Sequence, residues 1–142
     1  MVKFDGERRQ RAVLQTRADP KCEEMHKDTP LLSKTEVVGE NGELAHVFVY
    51  VSNPPDGDYA PPSEPVVLDQ KGCEYVPHVF GAVAGQELQI TNSDETLHNV
   101  RSFARRNRPF NLGQPAGSEP RSKTYTKEEE AIKFKCDVHP WT

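Results

Sequence analysis

Apolar residues in this chain alternate with polar ones far more often than they recur at helical spacing. Leu44-Ala45-His46-Val47-Phe48-Val49-Tyr50-Val51 is rich in β-branched and aromatic residues. Glu87-Leu88-Gln89-Ile90-Thr91-Asn92 and Ala131-Ile132-Lys133-Phe134-Lys135-Cys136 follow the two-residue period of a half-buried strand. Shorter runs at Val2–Phe4, Val37-Val38, Val66–Leu68 and Asn99–Phe103 complete a set of about seven strands. Only Cys22–Lys27 and Thr126–Glu130 suit a helix, the second with a Thr N-cap and glutamates in its first turn. Turn residues cluster at Asn41-Gly42, Asn53–Asp58 and Pro109–Pro120, and residues 105–124 read as one long polar connection. Short strands with Pro- and Gly-rich joints predict an all-β, Greek-key β-sandwich.

Composition narrows the function more than the fold. A chain of 142 residues is one domain, and 35% hydrophobic against 28% charged residues leaves little to bury. A net charge of −4 argues against a nucleic-acid binder. No run approaches the ~20 apolar residues of a membrane span. Met1-Val2-Lys3-Phe4-Asp5-Gly6 has no apolar signal-peptide core. The expectation is therefore a cytosolic chain or one whose sequence begins after an export signal.

Three cysteines, Cys22, Cys73 and Cys136, permit one internal disulfide and one thiol. Cys22 and Cys73 sit in polar loop contexts, whereas Cys136 closes an alternating run and has His139 three positions on. We read Cys22 as paired with Cys73, tying an N-terminal extension (1–34) to the core (35–142) of a single domain, with Cys136 the working thiolate. Closing a loop of about 50 residues stabilises by roughly 4 kcal/mol. Three unrelated thiols in a reducing compartment are the alternative.

Cys136-Asp137-Val138-His139 places a thiolate and an imidazole on one tight loop, and His98 follows another strand. Together they make the His2Cys set of blue-copper centres. Tyr75-x-Pro77, Gly85, Asn92-x-Asp94, His98-Asn99-Val100 and Cys136-x2-His139 resemble the cupredoxin family. The run from Leu68-Asp69-Gln70-x-Gly72-Cys73 through Cys136-Asp137-Val138-His139-Pro140-Trp141 resembles its plastocyanin- and amicyanin-like members, including an exported bacterial group of methylamine-utilisation type. The resemblance covers residues 35–142 and implies a cupredoxin-like sandwich holding one copper per chain. His98, Cys136 and His139 would be ligands, and Asn99 would offer a backbone N–H to the sulfur. It also implies a type 1 copper protein that passes single electrons between redox protein partners, in the periplasm or outside the cell, with no substrate turnover of its own. His139, by its loop position, is expected near the surface as the point of electron exit.

One departure stands out. Where the family has an axial Met three residues after the second histidine, this chain has Thr142. The axial position is then weak or absent, or filled by an oxygen of Thr142 or by water. The family's final strand is also missing, so the expectation is a truncated product or a sheet edge completed by pairing with another chain. Thr142 equally favours a rival reading, a non-redox binding or structural module with a degenerate metal site.

The remaining histidines are not read as ligands. His78 is expected to be a hydrogen-bonded structural residue, His46 to face outward from its strand, and His26 to sit in a charged turn. Trp141 packs against or shields the centre. Arg101, Arg105, Arg106 and Arg108 form a basic run that is either a solvated loop or a docking patch for an acidic redox partner. A nucleophilic Cys136–His139 dyad is disfavoured, because such enzymes bring their histidine from a distant segment and add an oxyanion hole.

Overall fold

The computed structural model describes residues 1–142. One short helix, α1 (Pro20–Met25), precedes seven strands: β1 (Val66–Gln70), β2 (Tyr75–Val76), β3 (Glu87–Asn92), β4 (His98–Ser102), β5 (Asn111–Gln114), β6 (Arg121–Thr124) and β7 (Phe134–Lys135). They build two sheets, β2-β1-β3-β6 and β5-β4-β7. The chain crosses from the first sheet to the second between β3 and β4, and returns between β5 and β6. The fold is the all-β sandwich that the alternation predicts.

Strands β1 and β3 run parallel, with Leu68 opposite Ile90, and every other pairing is antiparallel. Leu68, Leu88 and Ile90 point inward to meet Tyr75, Val100 and Cys136. Phe80, Phe110, Leu112, Tyr125 and Phe134 seal the margin of that cluster. Only 18 of 142 residues are buried, so the core is thin and polar clusters must share the work of holding the sheets together. One such cluster joins the layers directly: buried Gln70 of β1 donates to buried Gln114 of β5 at 2.6 Å.

The N-terminal 34 residues carry little regular structure beyond α1. Asp19 caps that helix, and Pro20 occupies its first turn, where no N–H is needed. Isolated bridges Lys3–Glu43 and Val13–Leu32 steady the segment. The Cys22–Cys73 disulfide forms, and Cys136 remains a buried free thiol. No helix is long and apolar enough to cross a membrane.

Several local expectations fail: Val2–Phe4 and Val37-Val38 make only isolated bridges, at Lys3 and Val38, and are not strands. Leu44–Val51 is not a strand: Leu44 bridges Val38, while Val47 to Val51 lie exposed with Phe48 stacked on Tyr50. Strand preference is expressed only where a neighbour accepts the ladder, and here none does. Thr126–Glu130 forms no helix, because longer-range bonds claim its polar groups. The Glu129 carboxylate accepts N–H groups of Arg105, Arg106 and Asn107, and Lys127 N–H goes to Asn107 Oδ1. The connection 105–124 contains β5 and β6. All four residues of β6 are exposed, as suits a polar edge strand that carries no hydrophobic alternation. Strand β7 covers only Phe134–Lys135 of the run Ala131–Cys136.

Candidate metal centre

Strand β4 opens at His98, and its pairing with β7 sets Arg101 opposite Lys135 and Ser102 opposite Phe134. Continuing that register brings Cys136 beside Val100 and Asp137 beside Asn99, whose Oδ1 accepts the Asp137 N–H at 2.5 Å. The chain then turns sharply. His139 N–H donates to Cys136 Sγ at 3.3 Å, and Thr142 N–H donates to the His139 carbonyl at 3.1 Å. This loop folds the second imidazole back over the thiol. Donor atoms of His98, Cys136 and His139 lie within 4.8 Å of one another, and all three residues are fully buried.

The orientation of the two rings decides what they can hold. His98 Nδ1 faces His139 Nδ1 at 2.8 Å, and Cys136 Sγ lies 3.9 Å from His139 Nδ1. On the outer side, His98 Nε2 donates to Asp94 Oδ2 at 2.8 Å, and His139 Nε2 donates to Asp19 Oδ2 at 3.0 Å. An ionised carboxylate can only accept, so both Nε2 atoms carry a proton and the two Nδ1 atoms turn toward each other. One proton shared between the two Nδ1 atoms makes that contact an ordinary hydrogen bond, and a metal ion in its place would take both lone pairs. With a thiolate alongside, the donor set fits copper, and zinc as a closed-shell substitute.

Each carboxylate is itself anchored. Gly72 and Cys73 adopt left-handed backbone conformations (φ 69° and 59°). Their successive N–H groups converge on Asp94, both at 2.7 Å. Asp19 Oδ1 accepts the N–H groups of Lys21 and Cys22, and its Oδ2 accepts the Thr96 hydroxyl at 2.6 Å as well as His139. Partial burial would raise the Asp19 carboxyl, but those four bonds outweigh it and hold the group at about 2. Asp94 is likewise held low by His98 and the Cys73 and Gly72 N–H groups, against its burial.

Protonation at the centre follows from this packing. Burial resists ionisation of the Cys136 thiol, yet His139, His98 and backbone N–H groups of Asn99 and His139 bring it down to about 5. Burial also disfavours a charged His98, but Asp94 and Cys136 prevail and raise it to about 9. His139 is raised against its burial by Cys136 and Asp19. The cavity stabilises one thiolate and demands positive charge beside it.

The remaining expected site residues are placed as follows. Asn99 contributes its backbone to the thiolate, and its carbonyl accepts the Tyr75 hydroxyl at 2.5 Å. The Thr142 hydroxyl donates to the Cys73 carbonyl at 3.2 Å, as does Trp141 Nε1 at 3.1 Å. The Trp141 ring rests on His139 with centroids 5.0 Å apart. Arg101, Arg105, Arg106 and Arg108 are exposed, and Arg101 reaches Asp137, next to Cys136, at 3.5 Å. Two further donor groupings, Asp19–Cys22–His139 and Cys73–Asp94–His98, are the outer ring of this same centre, because their cysteines are bonded to each other.

Two expectations are corrected. His139 is not at the surface: it has no exposed area, and Asp19, Cys22 and Trp141 cover it. His78 is not a hydrogen-bonded structural histidine but an exposed ring packed against His46. Sequence reasoning also missed Asp19 as an orienting group. Asp19-Pro20 is a legible helix start, but nothing local connects it to a histidine 120 residues away.

No protein-family model matches the chain, and no curated protein matches it. Among solved structures it is similar to a Cu-containing nitrite reductase (NirK) from Thermus scotoductus SA-01, at 21% identity and a TM-score of 0.49. The similarity covers 66% of this chain and 23% of that one, and it is a likeness of architecture alone. It does remove one expectation, that the chain has no turnover of its own. The protein it is similar to is named as a reductase, which is an enzyme.

Proposed function

We propose that the chain carries a type 1 copper electron-transfer centre, with His98 Nδ1, Cys136 Sγ and His139 Nδ1 holding one copper ion. One observation carries the proposal: both Nδ1 atoms face inward beside a stabilised thiolate, while both Nε2 atoms are committed to carboxylates. Bound copper supplies a one-electron change between Cu(II) and Cu(I). The protein's part is to keep the donors still. Asp94 and Asp19 fix ring tautomer and rotation, the β4–β7 ladder and the Asn99–Asp137 bond fix the loop, and burial excludes water. The Thr142 hydroxyl, already bonded to Cys73, leaves at most a weak axial oxygen. The disulfide favours an exported, oxidising setting. Exposed Arg101, paired with Asp137, and exposed Arg105, Arg106 and Arg108 fit a docking face for an acidic redox protein, so raising ionic strength slows that exchange.

The test is to add Cu(II) to the metal-free protein with Cys136 reduced. The expected result is an intense visible thiolate-to-copper band that saturates at one equivalent and disappears in Cys136→Ser. A colourless complex, or a band unchanged in Cys136→Ser, overturns the proposal.

A further inference from the structure

Five histidines are present, and three of them are satisfied within the protein. His26 Nε2 bonds the Gly72 carbonyl at 2.9 Å, and His98 and His139 belong to the buried centre. His46 and His78 differ. Neither ring nitrogen of either residue has a hydrogen-bond partner in the protein, and both side chains are open to solvent. Yet the two rings, brought from separate segments, meet with centroids 4.9 Å apart at an interplanar angle of 65°. They share a shallow recess whose walls include Lys34, Thr35, Leu44 and Val79.

The separation is informative. Two imidazoles on one ion, with metal–nitrogen bonds of about 2.0–2.1 Å, set their ring centres about 5 Å apart. The buried pair, by comparison, has centroids 4.4 Å apart. His46 is held at φ 59°, a left-handed conformation that is disfavoured for a residue with a β-carbon. Partial burial, with Lys34 and Arg11 for His46 and with His46 and Lys34 for His78, keeps both rings below the ordinary imidazole value despite Glu74. The Lys34 charge that would repel a cation is paired with Glu74 at 2.7 Å.

We infer that His46 and His78 form a second, solvent-open metal site for a divalent, imidazole-seeking ion, with Cu(II) bound ahead of Zn(II). The preference follows the affinity order of the first-row ions at nitrogen donors. Two protein ligands leave several positions to water or small anions, so the ion exchanges readily. With no thiolate in reach, the site has no intense colour. The inference does not depend on what fills the buried centre.

The experiment is equilibrium dialysis of the full chain against copper sulfate, with electron paramagnetic resonance of the bound ion. Native protein is compared with His46→Ala, His78→Ala, the double variant, and His26→Ala as a control. Because the tested side chains are exposed, thermal melts should coincide, and His→Gln versions replace any variant that fails to fold. The expected result is that each single variant and the double variant hold one equivalent less than native. The lost equivalent carries an ordinary nitrogen-ligated Cu(II) signal, and His26→Ala keeps it. The readout is a difference of one equivalent, so it stands whether or not the buried centre takes copper. Equal stoichiometry in native and double variant overturns the inference, as does loss in only one single variant, which would mean a lone histidine ligand.

Discussion

The molecule presents the same pair of side chains in two environments. His98 and His139 are fully buried, their outer nitrogens fixed by Asp94 and Asp19 and a thiolate set beside them. His46 and His78 also meet, with ring centres 4.9 Å apart against 4.4 Å for the buried pair, but exposed to solvent and with no partner on any ring nitrogen. The difference teaches that proximity of imidazoles creates affinity, while the surrounding carboxylates and burial decide what the bound ion can do. Orientation and a dry thiolate suit electron transfer with little rearrangement. Openness suits exchange.

Removing the disulfide should narrow that difference most. Cys22 Sγ lies 3.8 Å from His139 Nε2, and Cys22 follows the Asp19 cap, so the cross-link pins the cover over the buried pair. The Cys22→Ala/Cys73→Ala double variant is expected to lose about 4 kcal/mol of stability in denaturant titrations. It should also release metal from the buried centre to a chelator faster, with release from His46 and His78 unchanged. Equal release rates at the buried centre in both proteins would show that the N-terminal segment is no barrier.

The orienting carboxylates come next. Asp94→Asn and Asp19→Asn each should weaken copper at the buried centre by about 10- to 100-fold, measured by competition with a calibrated chelator. Asp94→Asn should also lower thermal stability, because the Gly72 and Cys73 N–H groups lose a charged acceptor. Neither variant should alter binding at the surface pair. A uniform loss at both pairs would mean the substitutions act through the fold instead.

The smallest expected effect lies away from both pairs. Partial burial works to raise the Glu129 carboxyl, but the N–H groups of Arg105, Arg106 and Asn107 and the Asn107 amide overcome it and hold the group at about 2, below its usual 4.5. A depressed folded-state value means the stabilisation is complete above about 4.5 and is lost as pH falls through about 2. Thermal melts of Glu129→Gln should therefore lie slightly below native near neutral pH, converge with it as pH falls, and meet it at the acid end. Copper binding at both pairs should match native. A gap that persists below pH 2 would assign the effect to packing.

The contrast between regions also explains what the sequence could show. Strands β3 and β4 are legible because Leu88, Ile90 and Val100 alternate with polar neighbours and fall inside, and β1 because the apolar run Val66-Val67-Leu68 ends in buried Leu68. Arg121–Thr124 is not, because an edge strand exposed along its whole length has no apolar signature. Val47–Val51 carried the strongest strand signal yet stays exposed, since side-chain preference cannot supply a missing neighbour. The Cys136-x2-His139 spacing was readable locally, and His98 by its own motif. The carboxylate on His139 required the fold, as did the meeting of His46, expected on the outer face of a strand, with His78, expected to be a hydrogen-bonded structural residue.

The central claim concerns which nitrogen of each buried ring meets the metal. Nitrogen-15 NMR of the histidine rings in the Cu(I)-loaded protein reads this directly. The account predicts that His98 and His139 keep their proton on Nε2, and that both Nδ1 resonances shift on loading with one equivalent. Protons found on Nδ1, or Nδ1 resonances of either ring unmoved by the metal, would contradict it.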